Sequence, residues 1–374
     1  MKSVLFDVDG VFLSEERCFD VSALTVYELL MDNNYLGLDN NNNLNHLDDD
    51  IISNVRSNIF VNDKVLHQLK SLGLNSNWDM LYIVFCLHFI KILKLLSLDK
   101  IENVLQTKSI KPSQLQLIGQ SITKDYQIDY NLPLTFLNSV DSGKENIFAS
   151  LQEFAKSELS VSNVSLFEFK SSLWYLTQSI YQEWYLGSTL FETVEGQPAY
   201  NSDKTGFIHQ EIVIRPVEEL QNLFNDLKNA GYRIAIATGR PRTETLVPFE
   251  SLELLPYFDN NHIVTASEVM KAENLYPNYK PLGKPNPFSY IATLNGNKEE
   301  EYYKYASVQN DIVNKEDVFI VGDSLADLLS AKKIGATFIG TLTGLKGKQA
   351  KSELESYEAD YIINHVGELR QILL

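Results

Sequence analysis

The sequence predicts an α/β protein with a mostly parallel sheet, interrupted near its first strand by a large helical insertion. From Arg215 onward, apolar strand segments alternate with helical segments, which is typical of a parallel sheet covered by helices on both faces. Residues 15–205 lack that alternation and carry only helical periodicity between polar breaks. We therefore expect a core domain formed by residues 1–14 and 206–374, with residues 15–205 inserted as an all-α domain.

Length, composition and charge exclude several classes of protein. The chain has 374 residues, enough for two or three domains, and its 44% hydrophobic and 22% charged content excludes collagen-like and wholly disordered proteins. The 32 basic and 49 acidic residues give a net charge of −17. Such a charge repels nucleic acids and anionic membranes, so we expect neither as a partner. Two cysteines, Cys18 and Cys86, cannot form a disulfide framework and suit a reducing compartment as plain thiols.

Neither a secretory signal nor a membrane span is expected. The apolar run after Met1-Lys2-Ser3 reaches Asp7 too early for a signal core. A bilayer span needs about 20 mostly uncharged apolar residues. The most apolar stretch, Leu81–Leu98, instead contains three basic side chains, those of His88, Lys91 and Lys94. We interpret it as a buried or amphipathic helix and expect a cytoplasmic protein.

The core elements follow from local patterns. A first strand is predicted over residues 2–8, ending at Gly10. Pro216 is suited to the first position of a helix that ends before Gly231. The apolar face of that helix is made of Val217, Leu220, Leu223, Phe224 and Leu227. The later strands are predicted at 233–238, 262–265, 318–321, 337–341 and 361–364.

The insertion is predicted to be helical over five segments, at 24–31, 63–73, 78–98, 145–158 and 165–188. Asp39–Asp50 is rich in Asn and Asp and predicts an exposed loop. The return segment Glu195–His209 contains two glycines and a proline, so we expect a hinge there. A stripe of aromatic residues at helical spacing favours packing over a stacking surface. It comprises Trp174, Tyr175, Tyr181, Trp184 and Tyr185.

Two carboxylates, Asp7 and Asp9, directly follow the first strand. Ligands of parallel sheets bind at the carboxyl ends of the strands, so both side chains are expected at that edge. Gly10 lets the chain turn away. One carboxylate at such a position can attack as a nucleophile, and the other can serve as acid and base.

Three further motifs follow later strands. Thr238-Gly239-Arg240 offers a hydroxyl and a tight turn suited to a phosphate oxygen. Gly283-Lys284-Pro285 presents one ammonium on a rigid loop, and the segment 322–327 adds the carboxylates of Asp323 and Asp327. Several carboxylates and one lysine on a single rim predict a site for a hard divalent cation and a phosphoryl group.

With these four motifs in this order, the chain resembles the haloacid dehalogenase superfamily, and is most similar to its phosphatases. The resemblance covers residues 1–13 and 206–374, and implies a Rossmann-like three-layer core with a helical cap domain. It implies that Asp7 is the nucleophile that becomes an aspartyl-phosphate, and that Asp9 is the acid and base. Thr238 and Lys284 would then hold the phosphoryl group.

The resemblance also implies a magnesium ion held by the Asp7 carboxylate, the Asp9 carbonyl and Asp323. Asp327 would lie close by or act through water, although it could instead cap the following helix. Gly239 and Arg240 are candidates for contacting the substrate. For Arg240, an exposed ion pair with a carboxylate is an equal alternative.

Asp9 discriminates within the superfamily, because carbon–oxygen leaving groups need a proton whereas halide does not. The sequence therefore predicts a Mg²⁺-dependent phosphomonoester hydrolase acting on a small phosphorylated metabolite. A phosphotransferase of the mutase kind would share every catalytic residue and stays open, as does a regulatory protein that binds a partner through its large insertion. His209, near the return to the core, could approach the substrate. The sequence does not indicate an oligomeric state.

Overall fold

The computed structural model describes residues 2–39, 44, 47–74, 76–122, 126–308 and 312–374. The chain divides into two compact units. The core unit comprises Met1–Glu16 and Ile208–Leu374, and the inserted unit comprises Arg17–Phe207. The boundaries expected from the sequence each lie two residues earlier along the chain.

The core unit contains one parallel sheet of six strands. They are β1 (Ser3–Phe6), β2 (Arg233–Ala237), β3 (Ile263–Val264), β4 (Val318–Gly322), β5 (Thr337–Thr341) and β6 (Tyr361–Ile363). Their order across the sheet is β3-β2-β1-β4-β5-β6. All six predicted strands are therefore present, and no predicted end differs from the structure by more than two residues.

Helices account for most of the remaining described chain. The first ten are α1 (Glu16–Met31), α2 (Asp49–Ile59), α3 (Lys64–Ser71), α4 (Asn77–Leu93), α5 (Leu98–Leu105), α6 (Pro112–Gln120), α7 (Leu132–Leu137), α8 (Lys144–Leu159), α9 (Ser172–Leu186) and α10 (Ser188–Glu195). The core unit follows with α11 (Val217–Asn229), α12 (Arg242–Ser251), α13 (Ala266–Leu275), α14 (Phe288–Asn295), α15 (Tyr302–Ala306), α16 (Leu325–Ile334), α17 (Ala350–Ser356) and α18 (Arg370–Leu373). Short 3₁₀ turns lie at Ser165–Phe167, Leu255–Tyr257, Asn260–His262, Pro277–Tyr279, Glu299–Glu301, Gly347–Gln349 and Val366–Leu369.

Strand β1 lies in the middle of the sheet, between β2 and β4, and all four of its residues are buried. Its side chains alternate between two apolar clusters. Leu5 packs with residues of α14 and α16, whereas Val4 and Phe6 pack with residues of α11. Because side chains point alternately to opposite faces of a strand, these clusters are the two sides of the sheet. The predicted three-layer core is confirmed.

Helix α11 agrees with the pattern that predicted it. Pro216 is the capping residue just before the helix, one position earlier than expected, and Gly231 follows the helix with a φ of +86°. Four of the five predicted face residues are buried, and Val217 is partly buried.

The inserted unit is helical throughout its described secondary structure, as expected. The predicted segments 63–73 and 145–158 agree with α3 and α8 to within two residues at each end. The prediction 24–31 has the correct end of α1 but misses its first eight residues, and the prediction 78–98 starts within one residue of α4 but extends five residues beyond its end. The fifth prediction, 165–188, is wrong at its start, because Lys170 adopts a φ of +59° and α9 begins only after the Ser171 cap. Half of the predicted loop Asp39–Asp50 lies outside the described residues, and its last two residues, Asp49 and Asp50, instead form the start of α2.

Helix α4 is buried on every side. Each residue from 80 to 90 has no exposed surface, His88 included. A helix that is apolar all round belongs inside a protein core or a membrane. Among the described residues, we find no helix with both the length and the apolar character needed to cross a bilayer.

The aromatic stripe of α9 is packed, as the spacing favoured. Trp174, Tyr181, Trp184 and Tyr185 are buried, whereas Tyr175 is 53% exposed. The two cysteine thiols, Cys18 and Cys86, are also buried.

The return segment is tied into the inserted unit. Lys204 is buried between the carboxylates of Glu28 and Glu183, with Nζ–O distances of 2.7 and 3.3 Å. Nearby, Gly206 has a φ of +87°, and a Cβ on it would lie 2.6 Å from the Leu186 carbonyl oxygen. Gly206 is therefore required because the Leu186 backbone lies too close for a side chain. The sequence instead led us to expect a hinge glycine at this position.

Candidate active site

Asp7 lies at the carboxyl end of the central strand. Its amide donates to the Val321 carbonyl of β4 at 2.9 Å, so the backbone stays in sheet register up to this residue. Asp7 is 8% exposed. The chain turns at Gly10, whose φ is +68° and whose absent Cβ leaves room for Asp323, since a Cβ would lie 2.5 Å from the Asp323 Cγ. A glycine is therefore needed for this close approach.

The β4–α16 connection contributes two more carboxylates. Ser324 caps α16, and Asp327 completes a capping box by accepting from the Ser324 amide and hydroxyl. Asp327 therefore takes part in capping α16 and also belongs to the carboxylate cluster of the site. Oxygen atoms of Asp7, Asp323 and Asp327 lie within 4.8 Å of one another.

Lys284 brings a positive charge into this cluster. Its Nζ lies 3.0 Å from Asp7 Oδ1 and 2.8 Å from Asp327 Oδ1. Its Nζ also lies 4.9 Å from the centroid of the Tyr290 ring, and the Tyr290 hydroxyl donates to Asp327 Oδ1 at 2.8 Å. Lys284 is thus held by two carboxylates and an aromatic face.

Burial and ion pairing act in opposite directions on the pKa of each of these groups. It raises the pKa of Asp7 from 3.8 to about 7, against the opposing effect of Lys284. For Lys284, burial acts to lower the pKa, but the charges of Asp327 and Asp7 outweigh it and the pKa is raised. For Asp327, burial acts to raise the pKa, but Lys284 outweighs it and the pKa is lowered. Lys284 and Asp327 are therefore a charged pair, as their distance indicates.

Thr238 lies at the carboxyl end of β2, the strand beside β1. Its amide donates to the Val264 carbonyl at 3.0 Å, and its side chain is buried. Its hydroxyl oxygen accepts from the Arg240 amide at 3.2 Å, which shapes the turn. Gly239 is exposed at that turn, and no heavy atom lies within 4 Å of the position of its missing Cβ. The turn thus presents open space beside the strand that carries Asp7.

Arg240 is not the exposed arginine expected from the sequence. It is 5% exposed, and its guanidinium contacts two carboxylates. The Nη2–Asp9 Oδ1 distance is 2.6 Å, and the Nη1–Glu211 Oε1 distance is 2.5 Å. Arg240 therefore forms ion pairs with carboxylates, as the alternative interpretation expected, but its side chain is buried rather than exposed.

Two residues in this region were missed by sequence reasoning. Tyr290 follows Lys284 by six positions and gives no signal beyond helical packing. Glu211 lies just after the return from the inserted unit, 29 residues before Arg240 in the chain. His209, a candidate substrate contact in the sequence, has its Nδ1 3.4 Å from the Ser251 hydroxyl.

A family model and a solved structure are similar to this chain. A family model described as HAD-hydrolase-like matches residues 281–369, the segment that contains Lys284, Asp323 and Asp327. An X-ray structure from the Northeast Structural Genomics Consortium is 60% identical in sequence. It covers 100% of this chain and 98% of its own, with a TM-score of 0.93.

Curated relatives are more distant. A protein named pyrophosphatase PpaX from Bacillus mycoides (strain KBAB4) is 24% identical over 165 residues, which is 44% of this chain and 63% of the relative. A protein of the same name from Bacillus cereus (strain AH820) is 24% identical over 186 residues, covering 50% of this chain and 70% of the relative. The chain thus spans less than two thirds of the first of these relatives.

Proposed function

We propose that this chain is a member of the haloacid dehalogenase superfamily and a Mg²⁺-dependent phosphomonoester hydrolase that forms an aspartyl-phosphate on Asp7. One observation carries the proposal. Lys284 and the carboxylates of Asp7, Asp323 and Asp327 converge at the carboxyl end of the central strand, with Asp9 two residues from Asp7. Nucleophile, acid and charge-neutralising group are then within reach of one phosphoryl group.

Asp7 attacks phosphorus, and the bond from phosphorus to the ester oxygen breaks. Asp9 gives its proton to that leaving oxygen, then takes a proton from the water that hydrolyses the aspartyl-phosphate. Lys284 neutralises charge on the phosphoryl oxygens, and the Thr238 hydroxyl donates to one of them. The Asp327 carboxylate keeps the Lys284 ammonium beside Asp7.

A magnesium ion suits the donor set. The three clustered carboxylates are hard oxygen ligands, which Mg²⁺ prefers over nitrogen or sulfur. Asp7 and Asp323, with the Asp9 carbonyl, would hold the ion. Both oxygens of Asp327 already accept hydrogen bonds, from Ser324 and Tyr290, and Oδ1 also forms an ion pair with Lys284. We therefore do not count Asp327 among the direct ligands of the ion. When bound, the ion supplies positive charge that favours attack by an anionic Asp7.

The test is phosphate release from a panel of phosphorylated metabolites with Mg²⁺ present. The panel includes sugar phosphates, phosphoglycolate, nucleotides and, because of the curated relatives' name, inorganic pyrophosphate. We expect turnover of at least one small phosphoester, and loss of about 10³-fold or more in Asp7→Asn with the fold retained.

Two outcomes would favour the alternatives. Transfer of the phosphoryl group within a sugar phosphate, with a need for a bisphosphate activator, would make the protein a mutase. No metal-dependent turnover of any ester, even a generic aryl phosphate, would leave a binding protein. An Asp7→Asn variant that keeps a tenth of the activity would show that another group attacks phosphorus.

A further inference from the structure

The guanidinium of Arg240 joins Asp9 to a second carboxylate, that of Glu211. On one edge, Nε and Nη2 both contact Asp9 Oδ1, at 2.7 and 2.6 Å. On the other edge, Nη1 donates to Glu211 Oε1 at 2.5 Å and contacts the Glu244 carbonyl at 3.5 Å. The side chains of Arg240 and Glu211 are 5% and 2% exposed. Their geometry is therefore set inside the protein.

All of the Arg240 contacts to Asp9 go to one oxygen. The Asp9 side chain is 30% exposed, compared with 12% for that of Asp7, so surrounding protein does little to fix its rotamer. The Nε–H donates to Oδ1 and Nη2 forms a close ion pair with the same oxygen, so the guanidinium fixes the orientation of the carboxylate. The arrangement leaves Oδ2 as the oxygen that can exchange a proton with a leaving group.

Glu211 is itself anchored to the loop that carries Asp9. The neighbouring Ile212 carbonyl accepts from the Ser14 amide at 2.8 Å, and Val213 forms a β-bridge with Leu13. The position of Glu211 is therefore fixed relative to residues just after Asp9. Glu211 can therefore fix one edge of the Arg240 guanidinium while the other edge contacts Asp9.

The charges argue against a substrate contact by Arg240. One guanidinium is already shared by two carboxylates, and its side chain is nearly inaccessible. An anionic part of the substrate would have to displace a carboxylate to reach it. Arg240 is thus better placed to orient Asp9 than to bind the substrate directly.

We propose that Arg240 and Glu211 are positioning residues for Asp9, which together aim one carboxylate oxygen at the leaving group. This inference rests on the proposed function, because it assigns a partner to the general acid of that reaction. Proton transfer to a leaving group matters most when that group is strongly basic. A misplaced Asp9 should therefore impair hydrolysis of alkyl phosphates far more than that of p-nitrophenyl phosphate, whose leaving ion is weakly basic.

The experiment measures kcat/KM of the full chain on p-nitrophenyl phosphate, phenyl phosphate and the best alkyl phosphate. The variants are Arg240→Lys, which cannot make the same two-edged contact, and Glu211→Gln, which keeps the shape but loses the charge. Arg215→Lys and Glu219→Gln are matched controls, because they alter an ion pair of the core unit outside this cluster, with an Nη2–Oε2 distance of 2.6 Å.

We expect Arg240→Lys to lose about 10²-fold on the alkyl ester and about tenfold or less on p-nitrophenyl phosphate, since general acids contribute 10²–10⁴-fold. Glu211→Gln should show the same trend with smaller losses in kcat/KM. Glu211→Asp, which keeps the charge, should lose less on the alkyl ester than Glu211→Gln does. Both control variants should match the wild type. Equal losses on all three esters, or no loss, would overturn the positioning role. A wild-type protein that hydrolyses none of them would overturn the proposed function itself, and this inference with it. If Glu211→Gln does not fold, Arg240→Lys alone decides.

Discussion

The ammonium of Lys284 lies 2.8 Å from Oδ1 of Asp327, a carboxylate with no exposed surface. This pair has two functions at once. Asp327 ties the loop of Lys284 to the first turn of α16, and it keeps the ammonium directed at Asp7. A single buried carboxylate therefore links the cap of a helix to the charge that would neutralise a phosphoryl group.

Asp327→Asn should damage both stability and activity. Loss of one partner from a buried ion pair costs about 3 kcal/mol of unfolding free energy, because the other charge stays buried. We also expect kcat to fall by about tenfold or more as Lys284 loses its orientation. Urea unfolding and steady-state kinetics measure the two effects.

Tyr290→Phe is the matched control for Asp327→Asn. It removes one hydrogen bond to Asp327 and leaves the ion pair, so a cost of about 1 kcal/mol is expected. If Asp327→Asn proved no more costly than Tyr290→Phe, the ion pair would not be the stabilising contact.

Removal of divalent metal should stop the reaction. With an excess of EDTA, phosphate release should fall by at least about a hundredfold, because the charge that assists attack by Asp7 is lost, and added Mg²⁺ should restore it. Asp323→Asn should raise the Mg²⁺ concentration for half-maximal activity by about tenfold or more. Asp226→Asn removes a carboxylate paired to Arg370 on the core surface, and should leave that concentration unchanged. Full activity after thorough chelation would contradict the metal assignment.

His88 should make the protein sensitive to acid. Among the described residues, neither ring nitrogen has a hydrogen-bond partner, and burial lowers its pKa from 6.5 to about 4. Asp129 opposes the shift only in part. Between these two values the unfolded chain binds a proton that the folded chain does not, so stability is lost as the pH falls from 6.5 towards 4. From pH 7 to pH 5 the loss from this group is about 2 kcal/mol.

His88→Leu isolates that contribution. Its unfolding free energy should change less between pH 7 and pH 5 than that of the wild type, by about 2 kcal/mol. Urea unfolding at both pH values measures the difference. Since other carboxylates titrate in both proteins, only the difference between the two proteins is diagnostic. Parallel pH profiles would mean that His88 is protonated, or reaches water, in the folded state.

We expect the core unit to set the common rate and the inserted unit to set substrate preference. Lys284→Met should lower kcat/KM for every substrate by similar factors, about a hundredfold, because each substrate carries the same phosphoryl group. Alanine substitution of exposed aromatic residues of the inserted unit, Tyr175 and Tyr200, should instead change the ratio between substrates by about tenfold. Tyr303→Ala, at an equally exposed tyrosine of the core unit, is the control. The opposite result would refute this assignment of roles: the Lys284 variant would change the preference between substrates, and the tyrosine variants would change kcat/KM by the same factor for all of them.

The core strands could be predicted because each is a short apolar run bounded by glycine, aspartate or threonine, and a buried parallel strand has just that composition. Helices of the inserted unit were harder. Those at Leu98–Leu105, Pro112–Gln120, Leu132–Leu137 and Ser188–Glu195 have nine residues or fewer, so their apolar residues do not establish a period. Helix α4 was found by its apolar content, since a helix buried all round shows no stripe.

Within the candidate site, the sequence could indicate the residues that follow strands, but not the contacts between them. Arg240 follows β2 and Asp9 follows β1, so both were expected at one edge of the sheet. Their ion pair is not a property of either motif, because it depends on the packing of side chains within that edge. Glu211 was missed for the same reason, since no local pattern distinguishes it from a solvated glutamate.

Placing β1 at the centre of the sheet has a consequence for the order in which the protein can assemble on the ribosome. Ser3 pairs with Arg233 on one side and with Val318 on the other. Strand β1 is therefore translated before the entire inserted unit, whereas its partner β2 follows that unit and its partner β4 follows most of the core as well. Pairing across such long separations is slow, and an unpaired apolar strand is prone to aggregate. Nascent chains truncated before residue 233 should thus leave the strand that carries Asp7 exposed to chaperones.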